Sequence, residues 1–266
     1  MLVDYHLHTW HCRHADDEVR SYALAAWDRG LDEIGFADHV PCLGWREETQ
    51  RSMPAAELPD YVREVAALAA EFPGRVRLGL EVDFVPGFED ALAGLKRSHP
   101  FDYWIGSVHF IPAWSYGYVR EYRDRPPLEA FRRYYSLMAG AARSGLFEIL
   151  GHLDLIRRFV PAPDPSDLAP LEEDLVASVA SAGVAVELNC AALRGGDPEV
   201  GILPGPRLLR LLAEAGVPVT FGSDAHRSAE AGEGVAHAAA LARRAGFTSF
   251  VRFQAGRALV TPLGEV

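Results

Sequence analysis

The chain is poor in several residue types, and each shortage narrows the class of protein it can be. It has three cysteines in 266 residues, Cys12, Cys42 and Cys190, which are widely separated and form no CxxC pair. A disulfide framework or a thiolate zinc site needs cysteines in matched sets, so neither is indicated. We therefore expect the three thiols to be small buried or loop residues.

Long apolar runs are also missing. No run approaches the roughly 20 residues that a membrane-spanning helix needs. The N-terminus lacks the basic segment followed by an apolar one that marks a secretion signal. We therefore expect a cytoplasmic protein with no membrane partner.

Positive charge is scarce. Lysine and arginine number 26 against 37 aspartates and glutamates, which gives a formal net charge of −11, and the single lysine is Lys96. A protein that binds a nucleic-acid backbone normally presents a basic face, so we expect no nucleic-acid partner. The remaining composition, with 49% hydrophobic residues, is that of an ordinary globular protein.

Histidine, by contrast, is concentrated at the start of the chain. Four of the ten histidines lie within "MLVDYHLHTWHCRHA". Apolar residues alternate along this stretch, which predicts a strand. Residues two apart on a strand share a face, so we expect Asp4, His6 and His8 to point the same way. Two imidazoles with a carboxylate behind them suit a metal ion better than a hydrophobic core.

Short apolar runs alternate with helical patterns at intervals of roughly 25 to 45 residues, which is typical of β/α units and a parallel sheet. The predicted strands are residues 2–6, 33–37, 76–82, 103–108, 148–151, 184–188 and 217–222, and three of the predicted helices cover 58–72, 167–182 and 206–216. Seven such units fit a closed or nearly closed α/β barrel. An open doubly wound sheet is the alternative, and periodicity alone does not separate the two.

Polar residues follow the C-terminal ends of these strands. In a parallel barrel those ends share one rim, where active sites are built. Nine residues there are candidate metal ligands: His6, His8, His14, His39, Glu81, His109, His152, Asp224 and His226. One tetrahedral ion takes about four ligands, so nine suit a cluster in which a carboxylate such as Glu81 bridges two ions. Imidazoles without thiolates favour zinc, iron or manganese over magnesium or calcium.

The ordered motifs carry a specific resemblance. They are "HLHTWHCRHA", "ADH", "GLEVDF", "GSVHF", "GHLDLIR", "ELN" with "LR", and "GSDAH". This set resembles the PHP (polymerase and histidinol phosphatase) superfamily and, within it, the monofunctional histidinol-phosphate phosphatases. The match runs from Asp4 to about Arg227 and includes "MPAAELPDYVREVAAL" and "VPGFED". The resemblance implies one domain over residues 1–266, folded as a distorted seven-stranded TIM-like (β/α) barrel with its site at the C-terminal rim.

The resemblance further implies three divalent metal ions. Their ligand sets, with Glu81 shared by two, are His6, His8, Glu81 and Asp224; Glu81, His109 and His152; and His14, His39 and His226. Asp4 and Asp38 either orient ligating imidazoles or make hydrogen bonds in the core.

Three histidines are left outside this assignment. His14 occupies the family's third position in the first loop, so we interpret His11 as a loop residue. His99 precedes Pro100 in a connector and His237 lies on a predicted helix, so we expect both to be structural or solvated.

Two arginines, Arg157 and Arg194, match arginines of the family pattern and are candidates for binding the substrate's phosphate. Their alternative is a surface ion pair. The predicted reaction is hydrolysis of L-histidinol phosphate, a small-molecule phosphomonoester of histidine biosynthesis, by a metal-bound hydroxide and without a side-chain nucleophile. The connectors 41–52 and 111–127 either supply a lid and specificity or pack against the rim.

Two other functions remain open from the sequence. A PHP phosphoesterase could act instead on nucleotides, oligonucleotides or phosphotyrosine. A non-catalytic barrel could bind a partner and use metal ions only for its structure. The sequence leaves the metal identity and the oligomeric state open.

Overall fold

A computed structural model describes residues 1–40, 51–112, 119–194 and 201–264. Cys42 and parts of both long connectors lie outside these residues. The strands are β1 (Val3–Leu7), β2 (Glu33–Phe36), β3 (Val76–Asp83), β4 (Tyr103–Ser107), β5 (Ile149–Leu150), β6 (Ala185–Asn189), β7 (Val219–Gly222), β8 (Ser249–Gln254) and β9 (Arg257–Pro262). The helices are α1 (Val19–Asp28), α2 (Leu58–Glu71), α3 (Glu89–Lys96), α4 (Pro127–Ser144), α5 (Pro165–Ala182), α6 (Ala191–Arg194), α7 (Pro206–Glu214) and α8 (Val235–Ala245).

Strands β1 to β7 form one parallel sheet in sequential order. In an open doubly wound sheet the strand order reverses near the first strand, so this order excludes that alternative. The sheet curves until its first and last strands meet at a parallel bridge between Leu7 and Ala225. There the His8 amide donates to the Ala225 carbonyl at 2.9 Å, and the Ala225 amide donates to the His6 carbonyl at 3.2 Å. The predicted barrel is therefore confirmed as a nearly closed one.

The helix ends follow from local chemistry. Helix α5 begins where the Asp164 carboxylate accepts a hydrogen bond from the Ser166 amide at 2.9 Å, with Pro165 at its first position. It ends at Gly183, whose φ of 69° is left-handed. Helix α7 likewise begins at a proline, Pro206. Within the described residues, no helix combines the length and the apolar character that crossing a membrane requires.

The ring of Tyr103 is fully buried among the strands of the barrel. The hydroxyl of Tyr103 donates to the Tyr5 carbonyl at 2.7 Å. The ring fits because its neighbours have no side chains: a Cβ on Gly79 would lie 2.5 Å from it, and a Cβ on Gly35 would lie 2.2 Å from its hydroxyl. The tyrosine and the two glycines therefore fit closely together.

A register shift between Asp4 and Leu7 interrupts the alternation of β1. The Tyr5 ring contacts Tyr103, with 5.1 Å between ring centroids, while His6 next to it faces Glu81 inside the barrel. The prediction that Asp4 shares a face with His6 is therefore wrong, because a bulge turns two successive residues to one side.

An antiparallel hairpin of β8 and β9 covers the N-terminal end of the barrel and was not predicted. Phe253 packs against Tyr5 and Tyr103, with ring centroids 6.0 and 6.1 Å away, and Arg252 donates to Glu33 at 3.0 Å. The hairpin therefore closes the end opposite the predicted site.

Candidate metal centre

Glu81 lies at the centre of the C-terminal rim and is 2% exposed. Its Oε2 atom faces three imidazoles. It is 3.0 Å from His39 Nδ1, 3.3 Å from His6 Nε2 and 3.5 Å from His8 Nε2. One carboxylate oxygen thus gathers residues from the ends of β1 and β2.

The other oxygen of Glu81 faces a separate set. Oε1 is 2.9 Å from His152 Nε2, 3.6 Å from His109 Nε2, and accepts a hydrogen bond from the Ser107 hydroxyl at 2.6 Å. Because each oxygen has its own imidazoles, the carboxylate has the arrangement that bridging two ions requires.

Asp224 follows β7 and completes the inner part of the centre. Its Oδ1 atom is 3.4 Å from His8 Nε2 and 3.9 Å from His6 Nε2. Asp224 has a φ of 56° and His152 a φ of 23°, and both values lie in a backbone region that residues other than glycine rarely adopt. Such backbone strain tends to cluster at functional sites.

An outer group of imidazoles lies on the solvent side of His8. The Nε2 atoms of His14 and His226 are 2.8 Å apart. The His8 ring stacks on His226 with 4.3 Å between centroids, and its centroid is 4.6 Å from that of His39. The structure therefore brings all nine predicted ligands together at one rim.

The spacing and hydrogen bonding of these atoms fit a metal ion. Around a tetrahedral ion with bonds of 2.0 to 2.1 Å, neighbouring ligand atoms lie about 3.3 Å apart. Among His6, His8, Glu81 and Asp224, the distances of 3.3, 3.4 and 3.5 Å are close to that value, and the distance between His6 and Asp224 is longer, at 3.9 Å. In addition, the Nε2 atoms of His6 and His8 are buried without a hydrogen-bond partner. A metal ion bound to these two nitrogens would give each of them a partner.

The ligand atoms form overlapping groups in the described part of the chain. In four sets of three residues, the ligand atoms of each set all lie within 4.8 Å of one another. These sets are His6, His8 and Glu81; His8, His39 and His226; His39, Glu81 and His109; and His8, Cys12 and Asp38. His39 belongs to two of these sets, so the division of nine residues among three ions stays a prediction.

Burial keeps several of these imidazoles neutral. The pKa of His8 is well below its usual value because of burial and the neighbouring His226. Burial and the rings of His39 and His226 lower the pKa of His14 to about 4, and burial also lowers the pKa of His226. Neutral imidazole is the form that binds a metal ion.

The carboxylate of Glu81 stays ionised. Burial alone would raise its pKa, but His39, His6 and His109 hold it well below its usual value. His6 shows the reverse effect: burial would lower its pKa, but Glu187, Glu81 and Asp224 raise it well above its usual value. The carboxylates of the inner centre thus attract positive charge, which a proton on His6 or a metal ion at its Nε2 atom would supply.

Five of the ring nitrogens that lie opposite the Nε2 atoms have partners of their own, whereas Nδ1 of His152 has none among the described residues. These pairs are His6 Nδ1 with Glu187 at 2.6 Å, His109 Nδ1 with Asp83 at 3.0 Å, His14 Nδ1 with the Cys12 carbonyl at 2.7 Å, His226 Nδ1 with the Asp224 carbonyl at 3.1 Å, and His8 Nδ1 with Cys12 Sγ at 3.3 Å. Glu187, Asp83 and Cys12 were not predicted to have this role. Asp83 lies two residues after Glu81 on β3, which is the signal that would have found it.

Asp4 and Asp38 do not have the contacts that orienting a ligating imidazole ring would require. Asp4 accepts hydrogen bonds from the backbone amides of Ser223 and Gly232, both at 2.8 Å. Asp38 accepts from the amide and hydroxyl of Thr9, while His8 Nδ1 is 4.0 Å away. Asp4 also accepts from the backbone amide of His6 at 3.2 Å, so both carboxylates hold the backbone by hydrogen bonds in the core, which is the alternative to orienting an imidazole ring.

Of the two predicted phosphate ligands, Arg194 lies beside the centre. Its Nη2 atom donates to the Asp224 carbonyl at 2.7 Å, its Nε atom is 3.7 Å from Glu230, and its Nη1 atom is buried with no hydrogen-bond partner. Arg157 instead donates from Nη1 to the buried carboxylate of Asp154 at 3.1 Å. A role for either in binding phosphate stays a prediction.

The remaining histidines lie apart from these contacts. His11 is buried in a short 3-10 helix, with Nε2 2.9 Å from Glu64 of α2. His99 packs against Phe101, and His237 is exposed on α8.

Comparison with known proteins places this barrel and its rim in a class. A family model described as "PHP domain" matches residues 4–191, which is more than half of the chain. The chain belongs to the PHP domain family, as its motifs predicted. Asp224 and His226 lie beyond the matched segment.

Individual relatives narrow the class. A protein named "Probable histidinol-phosphatase" from Deinococcus radiodurans is 43% identical over 236 residues, which cover 87% of this chain and 88% of that protein. The "Histidinol-phosphatase" of Bacillus subtilis is 28% identical over 255 residues, covering 86% and 95%. Within the PHP domain family, the chain therefore belongs to the histidinol-phosphatase group.

A crystal structure agrees in fold. The histidinol phosphate phosphatase of Lactococcus lactis, solved with zinc, L-histidinol and phosphate, superimposes with a TM-score of 0.83. The two chains are 24% identical, and the match covers 97% of this chain and 98% of that one. At this identity the likeness concerns the architecture, which is the nearly closed α/β barrel described above.

Proposed function

We propose that this protein is a phosphatase that hydrolyses L-histidinol phosphate to L-histidinol and inorganic phosphate. The observation that carries the assignment is the 43% identity with the Deinococcus protein over nearly the full length of both chains. The imidazole-rich rim is the chemical support, because a phosphomonoester is hydrolysed extremely slowly unless a catalyst supplies a nucleophile and neutralises charge.

The spacing of the ligand atoms at this rim and the unpartnered Nε2 atoms of His6 and His8 fit bound metal ions. We propose three, of zinc, iron or manganese, held by His6, His8, His14, His39, Glu81, His109, His152, Asp224 and His226. When bound, such ions acidify water and neutralise the charge of a phosphoryl group.

The protein's own residues position these groups. Glu81 offers one oxygen to the imidazoles of β1 and β2 and the other to His109 and His152, and its low pKa keeps both oxygens anionic. The Nη1 group of Arg194 supplies a buried donor without a protein partner next to Asp224. A phosphate oxygen at this place would satisfy that donor by a charge-assisted hydrogen bond.

Arg157 is the second residue that we propose to bind the phosphate. Its guanidinium is fixed by Asp154 and lies so close to Gly205 that a Cβ there would be 2.1 Å from Nη1. A side chain held in this way loses little freedom on meeting a phosphate, which favours binding.

The test compares phosphate release by the purified protein from L-histidinol phosphate, phosphotyrosine, nucleotides and short oligonucleotides. We expect histidinol phosphate to have the highest kcat/KM and activity to disappear after chelation and return with zinc, iron or manganese. A higher kcat/KM for one of the other substrates would replace the substrate assignment. A metal-loaded protein that is inactive on every phosphomonoester would favour the non-catalytic alternative.

A further inference from the structure

Glu187 is a buried carboxylate that belongs to the motif "ELN" but to none of the predicted ligand sets. It is the middle residue of β6 and is 1% exposed. Its Oε1 atom lies 2.6 Å from His6 Nδ1, and its Oε2 atom accepts a hydrogen bond from the His152 backbone amide at 2.9 Å. One side chain therefore contacts two predicted ligands that face opposite oxygens of Glu81.

The contact with His6 fixes which ring nitrogen carries the proton. A carboxylate close to Nδ1 stabilises the proton there, and the lone pair is then left on Nε2. That Nε2 atom is the one that faces Glu81 at 3.3 Å and has no hydrogen-bond partner. Glu187 thus sets the tautomer and the ring orientation that a metal ligand needs.

The contact with His152 acts on the backbone. His152 has a φ of 23°, outside the regions that its side chain favours. Its amide is held by Glu187, and its Nε2 atom lies 2.9 Å from Glu81. The hydrogen bond therefore helps to hold a strained loop in the conformation that directs this imidazole toward the centre.

The position of Glu187 is itself enforced. A Cβ on Gly222 would lie 1.9 Å from its Oε1 atom and 2.7 Å from His6 Cβ, so only glycine fits between them. On its other side, Asn189 donates from Nδ2 to Oε2 at 3.1 Å. The carboxylate has little freedom to move toward any other partner.

We propose that Glu187 is a positioning residue for the metal centre, which orients His6 through its ring and His152 through its backbone. The inference rests on the proposed metal-dependent function and deepens it. A carboxylate with two such contacts couples the imidazoles that face the two oxygens of Glu81, so its loss would weaken metal binding at both.

The experiment measures zinc affinity by chelator competition in the unmodified protein, in Glu187→Gln and in Glu33→Gln. In Glu187→Gln one of the two accepting oxygens becomes an NH2 group, so it cannot accept from both His6 and His152. We expect a loss of about 10- to 100-fold in affinity, together with a changed visible spectrum of the cobalt-loaded protein. Glu33→Gln is the matched control, because it removes an equally buried strand carboxylate at the far end of the barrel.

The outcomes separate the two proposals. If the unmodified protein binds no metal, the proposed function fails. If it binds zinc and Glu187→Gln binds equally tightly, with the same cobalt spectrum as Glu33→Gln, the role of Glu187 alone is overturned. If Glu187→Gln does not fold, Glu187→Asp replaces it, since a carboxylate one methylene shorter cannot reach both partners; unchanged affinity there would also overturn the inference.

Discussion

Two buried glutamates, one at each end of the barrel, have very different surroundings. Glu33, at the N-terminal end, accepts hydrogen bonds from Arg77 at 2.9 and 3.1 Å and from Arg252 at 3.0 Å, and the Tyr5 hydroxyl also donates to it. Glu81, at the rim, faces imidazoles, two of which keep an unpartnered Nε2 atom.

The difference explains why the two ends of the barrel have separate roles. Guanidinium groups stay protonated in proteins, so Glu33 is permanently paired and the site is chemically closed. Imidazoles are neutral or charged according to their surroundings, and a neutral ring offers a lone pair. Burial and residue type are the same for both glutamates, and the surrounding donors decide which end is structural and which can bind an ion.

The substitution Glu81→Gln tests the rim and has the largest expected effect. An amide cannot give an anionic oxygen to each of two ions, so we expect kcat/KM for histidinol phosphate to fall about 1000-fold or more, beyond the loss typical of an outer partner. Phosphate release and zinc content would be measured together. A variant that keeps a tenth of the activity would contradict the bridging role.

The same substitution at the other end, Glu33→Gln, should act on stability instead. Removing one partner of a buried ion pair leaves Arg77 and Arg252 incompletely paired, so the free energy of unfolding should fall by about 3 kcal/mol. Urea denaturation measures it, and kcat/KM of the folded protein should not change. Lost activity with unchanged stability would remove the contrast between the two ends.

Arg194→Ala sharpens the comparison by testing the guanidinium that has an unpartnered nitrogen. A hydrogen bond to a charged group contributes about 1.5 to 3 kcal/mol, so kcat/KM should fall about 10- to 100-fold, with a higher KM. The control is Arg210→Ala, which removes an exposed arginine on α7. Equal kinetics in the two variants would exclude Arg194 from phosphate binding.

Tyr103→Phe has the smallest expected effect. The variant keeps the ring between the two ends of the barrel but loses the hydroxyl that donates to Tyr5. We expect a loss of about 1 kcal/mol in the free energy of unfolding and no change in kcat/KM. A large fall in kcat/KM would mean that the two ends are coupled through this ring.

Much of the fold could be predicted because parallel strands covered on both faces appear as short apolar runs. All seven predicted strands overlap the observed ones, and most of the candidate ligands follow their ends, while His6 and Glu81 lie within β1 and β3. Glu187 was not predicted as part of the site, although it lies two residues before the end of β6, as Glu81 does in β3. A charged residue inside a fully buried strand was the available signal, since such residues are seldom buried without a partner.

Other features depend on contacts that no local pattern contains. The bulge in β1 accompanies pairing between His6 and Ala225, which are far apart in the chain. The β8–β9 hairpin follows the last β/α unit, and its turn at Ala255 and Gly256, with φ of 48° and 74°, had the length of a two-residue hairpin loop. Its alternation was a usable signal that a search for β/α units passes over.

The parallel bridge between Leu7 and Ala225, which closes the barrel, has a consequence for the motions of the protein. His6 and His8 lie on one side of it and Asp224 and His226 on the other, so ligands shared by one ion would tie together the two edges of the sheet. Opening of this closure and release of such an ion would then be a single event. Hydrogen exchange of the His8 and Ala225 amides would report that event directly, and it should slow when zinc is added.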